Sequence, residues 1–285
     1  MPERRAPSVR GRQLAAELRR LRDVLRLTGE EVAEQLGWSP SKISRIETGT
    51  TAPSVADLRQ LLDTYQVAGT QRERLELLGQ TAGQRGWWDA YADTLNSDYA
   101  ALIGLEDQAT SIRWYAAQIV PGLAQTKDYA REIVRSGSWT YPPGEIERRV
   151  QVRMNRQKIL TREQPVTLAV VLDEAVLHHQ VGGLEVMAAQ LRHLTELSSL
   201  PNVEVQVLPD TAGAHAAVHG EFQILGFPGL IATDVVYLEH LTSSIYVERE
   251  AEVFRYSLAF DQLRALALSA DDSRALIEQQ AATLS

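Results

Sequence analysis

The chain has 285 residues, 44% of them hydrophobic, enough for a sizeable core in one to three domains. It contains no cysteine, which excludes disulfides, zinc–thiolate sites and thiol catalysis. The net charge of −8 is uneven: residues 1–85 carry 14 Lys+Arg against 11 Asp+Glu, and residues 86–285 carry 15 against 26, giving a mildly basic head on an acidic body. No apolar run approaches the roughly 20 residues that span a bilayer. Met1-Pro-Glu-Arg-Arg is not followed by the apolar stretch of a signal peptide, so a cytoplasmic protein without membrane contact is expected.

Residues 1–11 read as a basic arm whose Arg4, Arg5 and Arg10 could reach phosphate or a minor groove. A helical region follows over 12–82. Arg12 to Leu25 is its first helix, with Leu14, Leu18, Leu21 and Leu25 inward and Arg19, Arg20 and Arg26 outside. Thr28 is a good N-cap, and Glu31 completes a capping box for a helix with Val32, Ala33 and Leu36 on one face. Gly37 stops that helix as a C′ glycine. Ser39 caps the next, with Pro40 at its first position, where the missing N–H costs nothing. Ile43 and Ile46 point inward, leaving Ser41, Lys42, Ser44 and Arg45 outward. Gly49 ends it. Pro53-Ser54 starts a fourth helix, striped by Val55, Leu58, Leu61 and Leu62, and Thr70 with Glu73 caps a fifth over 70–82. Two short helices about a glycine turn form a helix-turn-helix, whose second helix enters a major groove.

The pattern Thr28…Val32-Ala33…Leu36-Gly37…Ser41-Lys-Ile-Ser-Arg-Ile-Glu47…Gly49…Pro53…Leu58 resembles the XRE (Cro/repressor-like) DNA-binding domain over residues 12–65. The resemblance implies a lambda-repressor-like five-helix fold and an ion pair between an arginine of the first helix and the glutamate before the closing glycine, here Arg22 and Glu47. The DNA-contacting set is Thr28, Ser39, Pro40, Ser41, Lys42, Ser44 and Arg45. Ser41 and Arg45 are expected on base edges, Pro40 against a thymine methyl, and Lys42 nearer phosphate.

Residues 83–97 read as a junction, with Gly83 and Gly86 for flexibility and Trp87 and Trp88 to be buried. From 98 onward the pattern is a mixed α/β sheet domain running to 285. Asp98–Glu106 and Ala109–Ala117 read as one helix, broken later at Pro121-Gly122. Thr126 caps a helix over Lys127–Arg135. Ile146–Leu160 is an arginine-rich helix whose Arg148, Arg149, Arg153 and Arg156 are expected to form salt bridges within the acidic body. Strands are expected at Val166–Leu172, Val203–Leu208, Glu221–Gly226, Asp234–Glu239 and Ser244–Val247. Leu184–Leu197, Glu250–Leu268 and Asp271–Ala281 read as helices.

This body resembles, over about residues 95–280, the domain that follows the helix-turn-helix in actinomycete WhiJ-like, antitoxin-like regulators. The residues carrying the likeness are Gly104-Leu-Glu106, Ile119-Val-Pro-Gly-Leu-Ala-Gln-Thr126, Arg153…Arg156-Gln157, Leu172-Asp-Glu174, Gln190-Leu191 and Val207-Leu-Pro209. The resemblance implies a repressor acting with a small protein encoded nearby.

Three readings follow. The first is a sequence-specific transcriptional regulator, a homodimer on a palindromic operator in double-stranded DNA, whose body binds a small partner protein or ligand. The second is an antitoxin that neutralises a small partner, with operator binding secondary. The third is a DNA-tethered enzyme, for which Asp173, Glu174, His178, His179, His215, His219 and Glu221 are the polar candidates. His215 and His219 have the four-residue spacing of metal ligands on a helix, but Gly213 and Gly220 flank them and suggest a loop. No GxSxG elbow, P-loop or dinucleotide fingerprint is present, so no catalytic residue, metal or cofactor is expected.

Overall fold

A computed structural model of the chain describes residues 9–69, 71–72, 75–76, 79, 86–91, 93–137, 141–227 and 234–284. The chain divides into two compact units, Met1–Ala90 with Asn96–Gly104, and Tyr91–Leu95 with Leu105–Ser285. The basic arm of residues 1–8, the Thr70/Glu73 cap, residues 80–85 and Trp139 lie outside the described residues.

The first unit contains α1 (Val9–Val24), α2 (Gly29–Leu36), α3 (Pro40–Glu47) and α4 (Val55–Thr64). Leu14, Leu18 and Leu21 recur every three to four residues along α1 and are buried with Val32, Ala33, Ile43, Ile46, Leu58, Leu61, Leu62, Tyr65 and Leu75 in one core. Two residues expected inward are exposed. Leu25 lies past the end of α1, where Arg26 turns the chain at φ 55 before the stripe completes another repeat. Val55 is the first residue of α4, and the inward face of that helix begins at Leu58.

The second unit is built on a six-stranded sheet. Its elements are α5 (Ser97–Gln108), which begins in the first unit, β1 (Ser111–Ala116), α6 (Lys127–Ser136), α7 (Pro143–Arg156), β2 (Thr167–Asp173), α8 (Leu184–Leu197), β3 (Val203–Leu208), β4 (Phe222–Gly226), β5 (Val235–Glu239), β6 (Ser244–Val247), α9 (Glu250–Leu266) and α10 (Ala270–Thr283). The strand order is β3-β2-β1-β4-β5-β6. β1, β2 and β3 are parallel, joined by helical crossovers, and β4 to β6 run antiparallel beyond β1. The fold is thus helical at the N-terminus and mixed α/β beyond it.

The stretch Ala109–Ala117, expected as helix, is the central strand. Ser-Ile-Arg-Trp-Tyr-Ala places a β-branched residue and two aromatics between β2 and β4, and ladders on both sides satisfy its backbone. On one face Tyr115, Val171, Phe222, Ile224 and Val236 pack against Val253, Phe260 and Leu263 of α9. The alternate residues Leu168, Val170 and Leu172 of β2 and Val203, Val205 and Val207 of β3 are buried toward the other face. β3 is an edge strand, and the α9–α10 corner closes it: Leu268 N–H donates to Val207 O (2.8 Å), and Val207 N–H donates to Ser273 Oγ (2.9 Å).

The arginines of α7 are engaged within this unit. Arg148 binds Asp93, Arg149 binds Glu145, and Arg153 donates to Gln125 Oε1 (2.8 Å). Arg156 donates from Nε and Nη2 to both oxygens of Glu106 (2.8 and 2.6 Å), and Gln223 adds a third donor to Glu106 at 3.1 Å. Their side chains are 3% and 1% exposed, so both charges are withdrawn from water. Removing one partner strands the other. Glu106→Gln and Arg156→Met should each destabilise the sheet unit by about 3–5 kcal/mol, and the double replacement Glu106→Leu/Arg156→Met by less than the sum. Native-state hydrogen exchange of the β1 and β4 amides checks this.

Candidate nucleic-acid interface

The turn between α2 and α3 is defined by local backbone chemistry. Thr28 Oγ1 accepts from Glu31 N (3.1 Å) while Glu31 Oε2 accepts from Thr28 N (2.7 Å), closing the capping box at the start of α2. Gly37 ends α2 at φ 65, ψ 30, a left-handed geometry that a side chain would strain. Trp38 N–H then returns to Ala33 O at 2.7 Å. Ser39 enters α3 from an extended conformation, with Pro40 in the first turn. The Ser39 hydroxyl contacts Ser41 Oγ (3.1 Å) instead of a helix amide.

The far end of α3 is held from α1. Arg22 donates from Nε and Nη2 to the two oxygens of Glu47 (2.8 and 2.9 Å), and from Nη1 to Leu27 O (2.8 Å). Tyr65 donates its hydroxyl to Glu47 Oε1 at 3.3 Å. The Arg22 and Glu47 side chains are 14% and 9% exposed. The hydrogen bond to Glu47 raises the Arg22 pKa, and burial, then the Glu47 charge, raises that of Tyr65. Tyr65 and the Leu27 carbonyl were missed by sequence reasoning. No local pattern links residue 65 to 47, and only its place at the end of the apolar stripe of α4 could have drawn attention to it.

Of the remaining candidates, Pro40, Ser41, Ser44 and Arg45 are exposed. The Arg45 guanidinium has neither an ion pair nor a hydrogen bond among the described residues, so its five donors face solvent. Thr28 is exposed, but its hydroxyl is engaged in the capping box, donating to Glu31 Oε2 at 2.9 Å. Lys42, expected nearer phosphate, is half-buried and ion-paired within the unit. Its ammonium donates to Asp57 Oδ1 of α4 at 2.7 Å and lies 3.6 Å from the Trp38 ring centroid. Burial pushes the Asp57 carboxyl up, but hydrogen bonds from Lys42 and Ser54 outweigh it and hold the group below its usual value.

In the second unit several of the polar candidates are engaged in hydrogen bonds within the fold. Asp173 Oδ1 caps the turn after β2 by accepting from Ala175 N (3.1 Å), and its Oδ2 accepts from the buried Tyr115 hydroxyl (3.2 Å). Glu174 accepts from Asp210 N (2.8 Å) and lies 3.9 Å from His178, and His179 Nδ1 meets Gln118 O at 2.7 Å. His215 and His219 lie in a turn and not on a helix. Ala217 N–H donates to His215 Nδ1 (3.2 Å). Glu221, just before β4, has its carboxyl pushed up by burial. Among the described residues no group of three or more His, Asp and Glu side chains is placed to hold a metal ion, and no helix is long and apolar enough to cross a membrane.

Two family profiles match the chain. Residues 13–75 match a helix-turn-helix domain. Residues 99–279, more than half of the chain, match a domain of unknown function (DUF5753). No curated protein and no solved structure matches.

Two outcomes are expected of the helical unit. Arg22→Met and Glu47→Gln should each destabilise it by about 3–5 kcal/mol, and the double variant by distinctly less than their sum. A double-mutant cycle read from exchange of the α1 and α3 amides measures the coupling, and a value near zero would assign the pair to the surface. The second outcome concerns acid. The Thr28 amide, then its hydroxyl, holds Glu31 below the usual carboxylate range. Such a group stabilises the fold at pH values above its unfolded pKa of about 4, and that contribution is lost as pH falls through the depressed folded value. Protection of the α2 amides should therefore fall below about pH 4, with a flatter profile in Glu31→Gln.

Proposed function

This chain belongs to the DUF5753 family and is a DNA-binding transcription regulator, and we propose that it reads a palindromic operator as a homodimer and represses from it. The observation that carries base reading is the outer face of α3: Ser41, Ser44 and Arg45 are exposed on the second helix of a helix-turn-helix, and the Arg45 guanidinium has no partner among the described residues. An arginine held this way suits bidentate pairing with guanine O6 and N7 in the major groove. One such module covers only a few base pairs, and two-fold pairing on half-sites about one helical turn apart brings the affinity into the operator range.

The acidic body is proposed as the part that receives a small partner protein or ligand, and not as an enzyme. Its likeness to antitoxin-like regulators supports the first statement. The engagement of Asp173 and Glu174 in backbone hydrogen bonds supports the second. Binding to DNA only in complex with a partner would favour the antitoxin reading.

The test is a duplex enriched by the wild-type chain from a random pool. Arg45→Ala should weaken binding to that duplex by about 1–3 kcal/mol and relax one position in each half-site. An unchanged specificity profile would mean that α3 docks by another face. Light scattering at micromolar concentration, with and without the duplex, tests the dimer.

A further inference from the structure

From the ring and carboxylate that hold the Lys42 ammonium, we infer that Lys42 is a positioning residue, which ties the recognition helix to α4 and to the α2–α3 turn and makes no phosphate contact. This rests on the reading of α3 as the helix that enters DNA. Lys42 sits in the first turn of α3, and its ammonium reaches Asp57, a residue of the first turn of α4. Its Nζ lies 2.7 Å from Asp57 Oδ1 and 3.6 Å from the Trp38 ring centroid, so carboxylate and indole hold the ammonium together. Each holder is itself fixed. Asp57 N–H donates to the Ser54 cap at 3.1 Å, which ties the residue to the start of α4. Trp38 packs on the core beside the left-handed Gly37.

The arrangement has a geometric logic. α3 is only eight residues long, and its N-cap makes no side-chain bond to a helix amide. A helix this short takes its orientation from tertiary contacts, not from its own hydrogen bonds. Arg22 and Tyr65 hold the carboxyl end through Glu47, and Lys42 holds the amino end through Asp57 and Trp38. Ser41, Ser44 and Arg45, on the face between these anchors, keep the exposed positions.

Phosphate contact and positioning predict opposite results for Asp57. The full chain is used, with the duplex enriched by the wild type and a scrambled duplex of the same length. If Lys42 positions the helix, Lys42→Met and Asp57→Asn both weaken binding to the enriched duplex, about 3- to 30-fold, and both lower its preference over the scrambled one. The slope of log K against log salt is then unchanged in Lys42→Met. If Lys42 contacts a phosphate, Lys42→Met weakens both duplexes alike and the slope falls by about 0.9. Asp57→Asn then tightens binding by releasing the ammonium. The second pattern overturns the inference. Lys42→Arg, which can still reach Asp57, should restore most of the preference, and its failure to do so would also count against the inference. A wild-type chain that enriches no duplex overturns the DNA-reading assignment itself, an outcome separate from either pattern.

Discussion

Glu47 places a negative charge at the carboxyl end of an eight-residue helix, where the backbone dipole already opposes it. That charge is tolerable only because Arg22 meets it with two parallel hydrogen bonds and Tyr65 with a third. The compensation links α1, α3 and the end of α4 in one contact. Arg22 also reaches Leu27 O, so the same guanidinium fixes the turn that leads into α2. The orientation of the exposed Arg45 face follows from this link as much as from the apolar core beneath it. In a helix of two turns a small rotation would bring a different set of side chains outward.

Much of this was legible in the sequence because it is local. The Thr28 box, the left-handed Gly37 and the Pro40 start each follow from a few neighbouring residues. The leucines of α1 at positions 14, 18 and 21 follow from helical spacing. The misreadings are non-local. Ala109–Ala117 is strand because β2 and β4 flank it on both sides, and no window of the sequence contains either neighbour. The partner of Lys42, Asp57, lies fifteen residues on and is invisible to a periodicity. Tyr65 meets Glu47 from eighteen residues away, again beyond the reach of a local pattern.

The stretch Ile119–Thr126, prominent in the sequence pattern, is held by side chains acting on its backbone. Gln190, fully buried, accepts from Thr126 N and donates to Ala124 O, both at 2.7 Å. Gln125 donates to Val120 O (2.7 Å), Gln157 to Gly122 O and Gln125 O (3.0 and 2.7 Å), and Tyr129 accepts from Val120 N (3.2 Å). A buried loop must satisfy its polar groups, and glutamine, with donor and acceptor on one amide, does so from a distance. These glutamines are what make a buried, non-repetitive backbone possible here.

The order of strands in the sheet also bears on how the chain folds. β1 is central, yet its two neighbours arrive late: Ile112 pairs with Leu168 on one side and with Leu225 on the other. Among the described residues, the buried core shared by helices α1 to α4 runs no farther along the chain than Leu75. Synthesis proceeds from the N-terminus, and contacts distant in sequence form slowly. The helical unit can therefore reach its final packing while β1, with Ile112 and Tyr115 uncovered, still lacks both partners. During that interval β1 has no strand on either side, and its unpaired backbone is open to the pairing that β2 and β4 later supply.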